Sequence, residues 1–385
     1  MKNLVIISFV FCITQFSLFA QGKEERTLFV VDSIPITKDL DEETGTIANE
    51  DIATLSVITT KSEIIKYGYN DIDKIIFIIT KEYAARSEEL KKIPTTNRMK
   101  RINGQWYLPN DKKPYSGIFI DYFPNGKKQG EGILQNGIVS GLRKVYHLNG
   151  KLSYEKMYEN GIASGFCNEY YDNGQIEFKG QYKNGKEEGL CESWYQNGQK
   201  RSSTVYKNGE INGESTIWYS TGVLKSKIIF TNGKPQLSKE EQKIEKMQLR
   251  AKQYYDERNL KMAVNELTKV IELLPTSADS YFSRGTMKLN DFEFDAAIED
   301  LDKAIKIEPM MAKAYTNRAF ARLRKYQFKN SRTLSKSKEI TVMASGDVVP
   351  IPDADKKLIC EDLNKAKELG DKNELLIEAL QQNCK

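Results

Sequence analysis

The sequence predicts a multidomain α+β protein: a small α/β module, an antiparallel β-meander repeat array of five 24-residue units, and a C-terminal α-helical solenoid. Three observations lead there. Asn-Gly recurs at 125, 149, 173 and 197, with Thr221-Gly222 closing the series, and again at 136, 160, 184, 208 and 232, so two turn series interleave at a common step of 24. Beyond Pro235 the composition turns to Lys, Glu, Leu and Ala, with small residues returning at a step of 34. Between 28 and 82, short apolar runs flank one helical stretch. Steps held over several units define repeat architectures.

The chain opens on MKNLVIISFVFCITQFSLFAQG: one lysine, an apolar run from Leu4 to Phe19, and the small residue Ala20 ahead of Gln21. This pattern is a secretory signal over 1–20, with cleavage expected after Ala20. The run falls short of the roughly 20 apolar residues of a spanning helix. Cys12 lies mid-run behind bulky Phe11, which argues against lipid attachment. The expected location is periplasmic, outer-membrane-associated or secreted, with no transmembrane span after cleavage.

Within 21–101, LFVVDSIPI reads as a strand ending in a turn, NEDIATLSVIT as a helical turn and a strand, KSEIIKYGY as a helix, and KIIFIITK as a buried strand. With Val31-Asp32-Ser33-Ile34-Pro35, Asp51-Ile52, Tyr67-Gly68 and Thr80-Lys81 at the joints, this succession resembles part of the plug domain of TonB-dependent outer-membrane receptors. The resemblance implies a borrowed plug-like α/β module. No barrel is expected to follow, because the next segment repeats on turns and lacks lipid-facing alternation.

Each Asn-Gly is expected to close a two-residue type I′ hairpin, in which both residues take positive φ. Two turns per unit then give a meander of about ten strands over 102–234. Tyr122, Tyr146, Tyr170, Trp194 and Trp218 keep the same step, as do Leu134, Tyr158, Tyr182, Tyr206 and Phe230. These aromatic columns are expected to form the core, with a ligand-stacking platform as the alternative. The units SGLRKVYHLNGKLSYEKMYENGIA and EGLCESWYQNGQKRSSTVYKNGEI, behind the lead-in NGQWYLPNDKKPYSG, resemble the bacterial MORN-repeat variant, a family often labelled YwqK-like antitoxins. The resemblance implies the fold and an interaction role, with no catalytic residue to carry over. Cys167 and Cys191 stand two strands apart on this reading and are expected to stay unpaired with each other.

A linker, 235–243, leads to the helical region 244–385. Tyr281, Gly285, Ala297, Leu301, Ala304 and Pro309 are matched one step earlier by Ala251, Ala263, Leu267, Val270 and Pro275, and one step later by Tyr315 and Ala319. The pattern resumes 28 residues late at Ile359, Leu363 and Ala366, so an insertion occupies about 327–353. Its Ser/Lys-rich composition reads as a flexible loop. The pattern resembles the tetratricopeptide (TPR) family, which implies a concave groove lined by Phe282, Thr286, Asn290, Lys313, Asn317, Phe320 and Arg324. Packing between helices is the alternative role for Phe282 and Phe320. Gly370 stops the helix carrying Cys360 and the next begins near Asn373, so two antiparallel helices bring Cys360 beside Cys384. After export, a disulfide between them is expected.

His147 is the only histidine, and it stands in the column of Phe123, Tyr171, Tyr195 and Tyr219 as a structural substitute. With no CxxC pair and no phosphate-cradling glycine loop, no catalytic residue, metal or cofactor is assigned. Net charge is +5, and the array shows no basic stripe interleaved with aromatics, so no nucleic-acid partner is expected. The resulting expectation is an exported, non-enzymatic scaffold of the cell envelope that binds a protein or peptide. An antitoxin or immunity-type protein that neutralises a toxin is the alternative.

Overall fold

The computed structural model describes residues 26–36, 46–336, 341–344 and 349–384; the expected signal peptide lies outside them. Two compact units are present. One runs through Arg98 and takes in Tyr122–Lys128, and the other comprises Met99–Asp121 and everything from Gln129 onward.

In the first unit, β1 (Thr27–Val31), β2 (Ile34–Ile36), β3 (Ile52–Ile58) and β4 (Lys74–Thr80) form a sheet in the order β2-β1-β4-β3. The central pair β1 and β4 is parallel, and both edge strands are antiparallel to their neighbours. Helix α1 (Lys61–Lys66) buries Ile64 against Leu28, Val30 and Ile75, so the apolar runs of the sequence meet in one core. The Asp32 carboxylate accepts from the Thr80 N–H (2.8 Å) and hydroxyl (2.7 Å). Thr80 also caps α2 (Lys81–Ala85), and Ser87 caps α3 (Glu88–Lys92). Arg86 donates to the Gly126 carbonyl (2.5 Å) and lies 3.4 Å from the Tyr122 ring centroid. Gly126 has φ +85°, and a Cβ there would sit 2.3 Å from Thr80 Oγ1, so only glycine fits.

In the second unit a short hairpin, β5 (Lys100–Ile102) and β6 (Gln105–Tyr107), precedes an eleven-stranded antiparallel meander in sequence order. Its strands are β7 (Gly117–Tyr122), β8 (Lys128–Gln135), β9 (Ile138–Tyr146), β10 (Leu152–Glu159), β11 (Ile162–Tyr170), β12 (Ile176–Lys183), β13 (Lys186–Trp194), β14 (Lys200–Lys207), β15 (Glu210–Trp218), β16 (Leu224–Thr231) and β17 (Lys234–Gln236).

The two turn series differ, which corrects the sequence expectation. Asn136, Asn160, Asn184, Asn208 and Asn232 have φ of 49–52° and their glycines 74–81°, the type I′ pattern. In the other series only the glycines enter the positive region, at 82–88°. There the loop is longer: Tyr171 N–H donates to the Gln175 carbonyl (2.9 Å) and Gly174 N–H to the Tyr171 carbonyl (2.8 Å). Asn173 Oδ1 accepts from the Gln175 N–H (2.9 Å). The asparagine position needs no positive φ, so Thr221 fits the fifth unit.

The rings of the two columns are only half-buried, and of the column residues Leu134 alone is fully covered, at 1 % exposure in a cluster with Phe119. The most covered row runs through Phe119, Cys167, Cys191 and Ser215, at 0, 0, 3 and 7 % exposure, with half-buried Arg143 at the one remaining step. Cys167 stands opposite Lys156 and Gly180, and Cys191 opposite Thr204. A Cβ on Gly180 would come 2.7 Å from Cys191 Sγ and 2.8 Å from the Phe178 ring. Small residues at mid-strand let the longer side chains beside them close over the row, while the large rings form its flanks. Burial pushes the Cys167 thiol up to about 12 and raises Cys191 as well. Neither is a thiolate nucleophile at neutral pH.

The helical domain pairs α4 (Lys239–Asp256) with α5 (Leu260–Leu273), α6 (Ala278–Asn290) with α7 (Phe294–Ile307), and α8 (Ala312–Gln327) with α9 (Asp353–Glu368). Helix α10 (Glu374–Asn383) packs on α9 through Leu376 and Ala379. The segment between α8 and α9 is more than a loop: β18 (Arg332–Lys336) and β19 (Thr341–Ala344) pair as an antiparallel hairpin.

Candidate interaction surfaces of the two repeat domains

Adjacent β units are stitched along both sets of turns. The type I′ turns bond backward: Gly161, Gly185, Gly209 and Gly233 N–H donate to the carbonyls of Val139, Ala163, Glu187 and Ile211 at 2.8–3.0 Å, and Gly137 starts the row on the Tyr115 carbonyl. The longer turns bond forward through side chains. Asn149, Asn173 and Asn197 Nδ2 donate to the carbonyls of Asp172, Gln196 and Ser220. Tyr171 and Tyr195 hydroxyls donate to the carbonyls of Trp194 and Trp218, and His147 Nε2 meets that of Tyr170 at 2.8 Å. The histidine is thus a rung of this ladder.

The last unit has no successor, and the helical domain takes its place. Tyr219 donates to Asp279 Oδ2 (2.9 Å) and Thr221 to the Ile307 carbonyl (2.7 Å), continuing the two forward rungs onto helices. Between them the Ser220 N–H donates to Glu308 Oε2 (2.8 Å), and its hydroxyl to the other carboxylate oxygen. Ser220 and Glu308 are both buried. Lys225 adds an ion pair to Asp279 (2.9 Å). Sequence reading missed this junction; its one signal was the break of the Asn-Gly series at Thr221.

Burial, reinforced by the Asp279 carboxylate, holds the Tyr219 hydroxyl above its ordinary range. Burial raises Tyr171, Tyr195 and Tyr206 too, and Tyr146, with help from Glu131, is pushed up to about 12. A raised folded pKa contributes stability that is fully present below the unfolded value of about 10 and is lost as pH rises through the folded value. The array should therefore stay folded at pH 10, with tyrosine ionisation lagging the free-tyrosine curve in an absorbance titration. Ionisation that tracks free tyrosine would mean that these rings are solvated.

A second ladder runs inside the helical hairpins. Arg284 binds Asp300 through Nε (2.8 Å) and Nη2 (2.6 Å), with Lys288 on the same carboxylate. Arg318 binds Asp362 in the same way (3.0 and 2.5 Å), joined by Arg322. Arg250 faces Glu266 at 3.5 Å. Arg250, Arg284 and Arg318 are 34 apart, and Glu266, Asp300 and Asp362 follow the same step once the 28 inserted residues are allowed for. That spacing was available in the sequence but went unread. Burial pulls the Arg318 guanidinium down, yet the Asp362 and Asp302 carboxylates outweigh it and hold it above its ordinary value.

The residues expected in the groove divide into two groups. Phe282 packs on the Ile271, Tyr281 and Ala304 cluster, and Phe320 bridges the Ile359 and Leu289 clusters. Thr286 Oγ1 donates to the Phe282 carbonyl and accepts from Asn317 Nδ2, both at 2.8 Å, tying α6 to α8. Asn290 and Lys313 are exposed, and Arg324 is half-buried in the last turn of α8. Cys360 and Cys384 come together with a Cα–Cα distance of 5.5 Å and an S–S distance of 1.99 Å.

The family model described as MORN repeat variant matches residues 140–160, 167–184, 187–208 and 211–232, in step with the β units. Residues 140–232 are a MORN-variant array. Downstream of this MORN-variant array, the helical region is TPR-like. It is similar to the Arabidopsis OM64 TPR domain, at 21% identity over 38% of this chain and 97% of that one, with a TM-score of 0.29. It is also similar to the first TPR of Spaghetti (RPAP3) bound to the HSP90 peptide SRMEEVD, at 16% identity over 37% and 90%, TM-score 0.28. A third similar structure is the TPR2B-domain:pHsp70 complex of yeast Sti1, at 20% identity over 37% and 90%, TM-score 0.26. Among curated proteins, none matches the chain.

Proposed function

We propose that this chain is an exported, non-enzymatic scaffold of the cell envelope, in which the MORN-variant array carries the TPR-like domain and both offer repeat surfaces to a protein or peptide partner. The carrying observation is the buried junction of Ser220 with Glu308. It holds two repeat surfaces in a fixed relation, which suits a scaffold. Binding rather than catalysis is supported by the use of His147 as a rung and of Cys167 and Cys191 as buried fill. The peptides named for two of the similar TPR structures make a peptide the proposed occupant of the concave face. The plug-like motif order of the first unit points to the outer membrane among envelope sites.

Export is supported by the N-terminal sequence and by the approach of Cys360 to Cys384. In the oxidised, denatured chain, Cys167 and Cys191 should be alkylated without reductant and Cys360 and Cys384 should not. Labelling of all four would show that Cys360 and Cys384 do not bond and would remove that support for export. For binding, a photo-crosslinking residue at exposed Lys313 or Asn290 should yield a discrete adduct with one protein in intact envelopes, on a chain beginning at Gln21. Absence of an adduct from both positions would remove the concave face from the reading.

A further inference from the structure

The three helical hairpins are built alike, but the outward face of the first differs from its counterparts. In the second hairpin Arg284 uses Nε and Nη2 on Asp300 and turns Nη1 to Thr268 of the preceding helix α5 (3.1 Å). In the third, Arg318 Nη1 reaches Asp302 of the preceding helix α7 (2.6 Å). Thr268 and Asp302 are themselves one 34-residue step apart. The neighbouring positions are sealed by those preceding helices, with Ser280 at 2 % and Ala314 at 0 % exposure.

Among the described residues no such helical hairpin precedes the first, and the same face of α4 is open. Lys246 stands where Ser280 and Ala314 are sealed, and Arg250 where Arg284 and Arg318 are locked. The Arg250 side chain is 53% exposed, against 14% and 16% for its counterparts. Lys239, Gln242, Lys243, Lys246 and Arg250 line a trough of about 320 Å³. Lys239, Lys243 and Lys246 make no ion pair among the described residues. Leu249 is 66% exposed and falls on the same helical face one turn beyond Lys246. Glu266 is 3 % exposed; its Oε1 accepts from Lys269 (2.6 Å), while its Oε2 has no hydrogen bond and only Arg250 at 3.5 Å. A guanidinium locked by a covering helix satisfies the equivalent carboxylates of the other two hairpins; here the lock is missing.

We propose that this face of α4 is a docking site for an acidic amphipathic α-helix of a partner protein, seated where the second helix of a preceding repeat would lie. The repeat geometry sets the shape of the occupant, and the exposed Arg250 guanidinium, a donor, calls for one acceptor on it. The lysines set its charge, since opposite charges across an interface select the partner and speed its arrival. An apolar residue of the incoming helix covers Leu249, and closing the trough presses Arg250 onto Glu266. This surface is separate from the concave face, so its test stands apart from that of the binding site proposed above.

The probe is a stapled peptide of residues 293–308, the segment containing α7, whose helicity is verified by circular dichroism. It carries six carboxylates against two lysines, and Asp302 already performs this role for Arg318. Fluorescence anisotropy with the full chain should show saturable binding that Lys243→Glu with Lys246→Glu weakens roughly tenfold or more. These lysines are exposed, so the variant should keep the wild-type spectrum and Tm. Lys313→Glu on α8 should leave the affinity unchanged. No saturable binding of the helical peptide, equal binding by the charge-reversed chain, or loss with Lys313→Glu instead would each overturn the proposal.

Discussion

Asp362→Ala should destabilise the helical domain by about 3–5 kcal/mol, because it removes the carboxylate that compensates two largely buried guanidiniums. Asp362 is 3 % exposed, and Arg318 and Arg322 beside it are 16% and 15%. Arg318 keeps only Asp302, and Arg322 loses the carboxylate that holds it. Urea unfolding checks this: the midpoint should fall with little change in slope, and Asp362→Asn should fall between variant and wild type. A midpoint within a few tenths of a kcal/mol of wild type would mean that water reaches both arginines and the ladder is ornamental.

Glu308→Ala should uncouple the two repeat domains. The substitution strands the Ser220 N–H and hydroxyl in a buried site, at a cost of about 1–3 kcal/mol for each unsatisfied group. What distinguishes a junction from an ordinary core contact is cooperativity. Wild-type chain should unfold the array and the TPR-like domain together, whereas Glu308→Ala should split the transition and admit protease at 233–238. A single transition shifted as a whole would show that Glu308 supports only its own helix and that the domains are held by something else.

Much of this architecture is written in spacing. The 24-residue step of the turns places every long strand of the meander, and the 34-residue step, with a delay of 28, places α4 to α9. What spacing does not encode is the local solution at each site. Asn-Gly is compatible with a two-residue loop and with a longer one, and nothing in the dipeptide says that Asn173 spends its side chain on the Gln196 carbonyl of the next unit. Aromatic columns dominated the reading because large rings are usually interior. In the interior of a single sheet, the positions that close over are those small enough to be covered, as Cys167 and Gly180 are, whereas Phe119 is covered by the lead-in residues Met99, Trp106 and Tyr115. The insertion hairpin escaped notice because its strands lack apolar alternation. The junction escaped because Asp279 and Glu308 are ordinary surface residues for a helical repeat until a β turn is laid against them.

The forward rungs on the array have an evolutionary consequence. The units ending at Tyr171-Asn173 and Tyr195-Asn197 offer the same donors, and the helical domain accepts from Tyr219 and Thr221 of the last unit at the positions where another unit would. Duplication or deletion of one such interior unit would therefore leave both terminal joints chemically intact. The helical domain would shift from the first strand by two strand spacings, roughly 10 Å. Gene-level slippage in a 24-residue frame is thus a way to retune reach without redesigning either end. Natural variants of this architecture should differ by whole units, with the seryl and tyrosyl donors kept in whichever unit happens to be last.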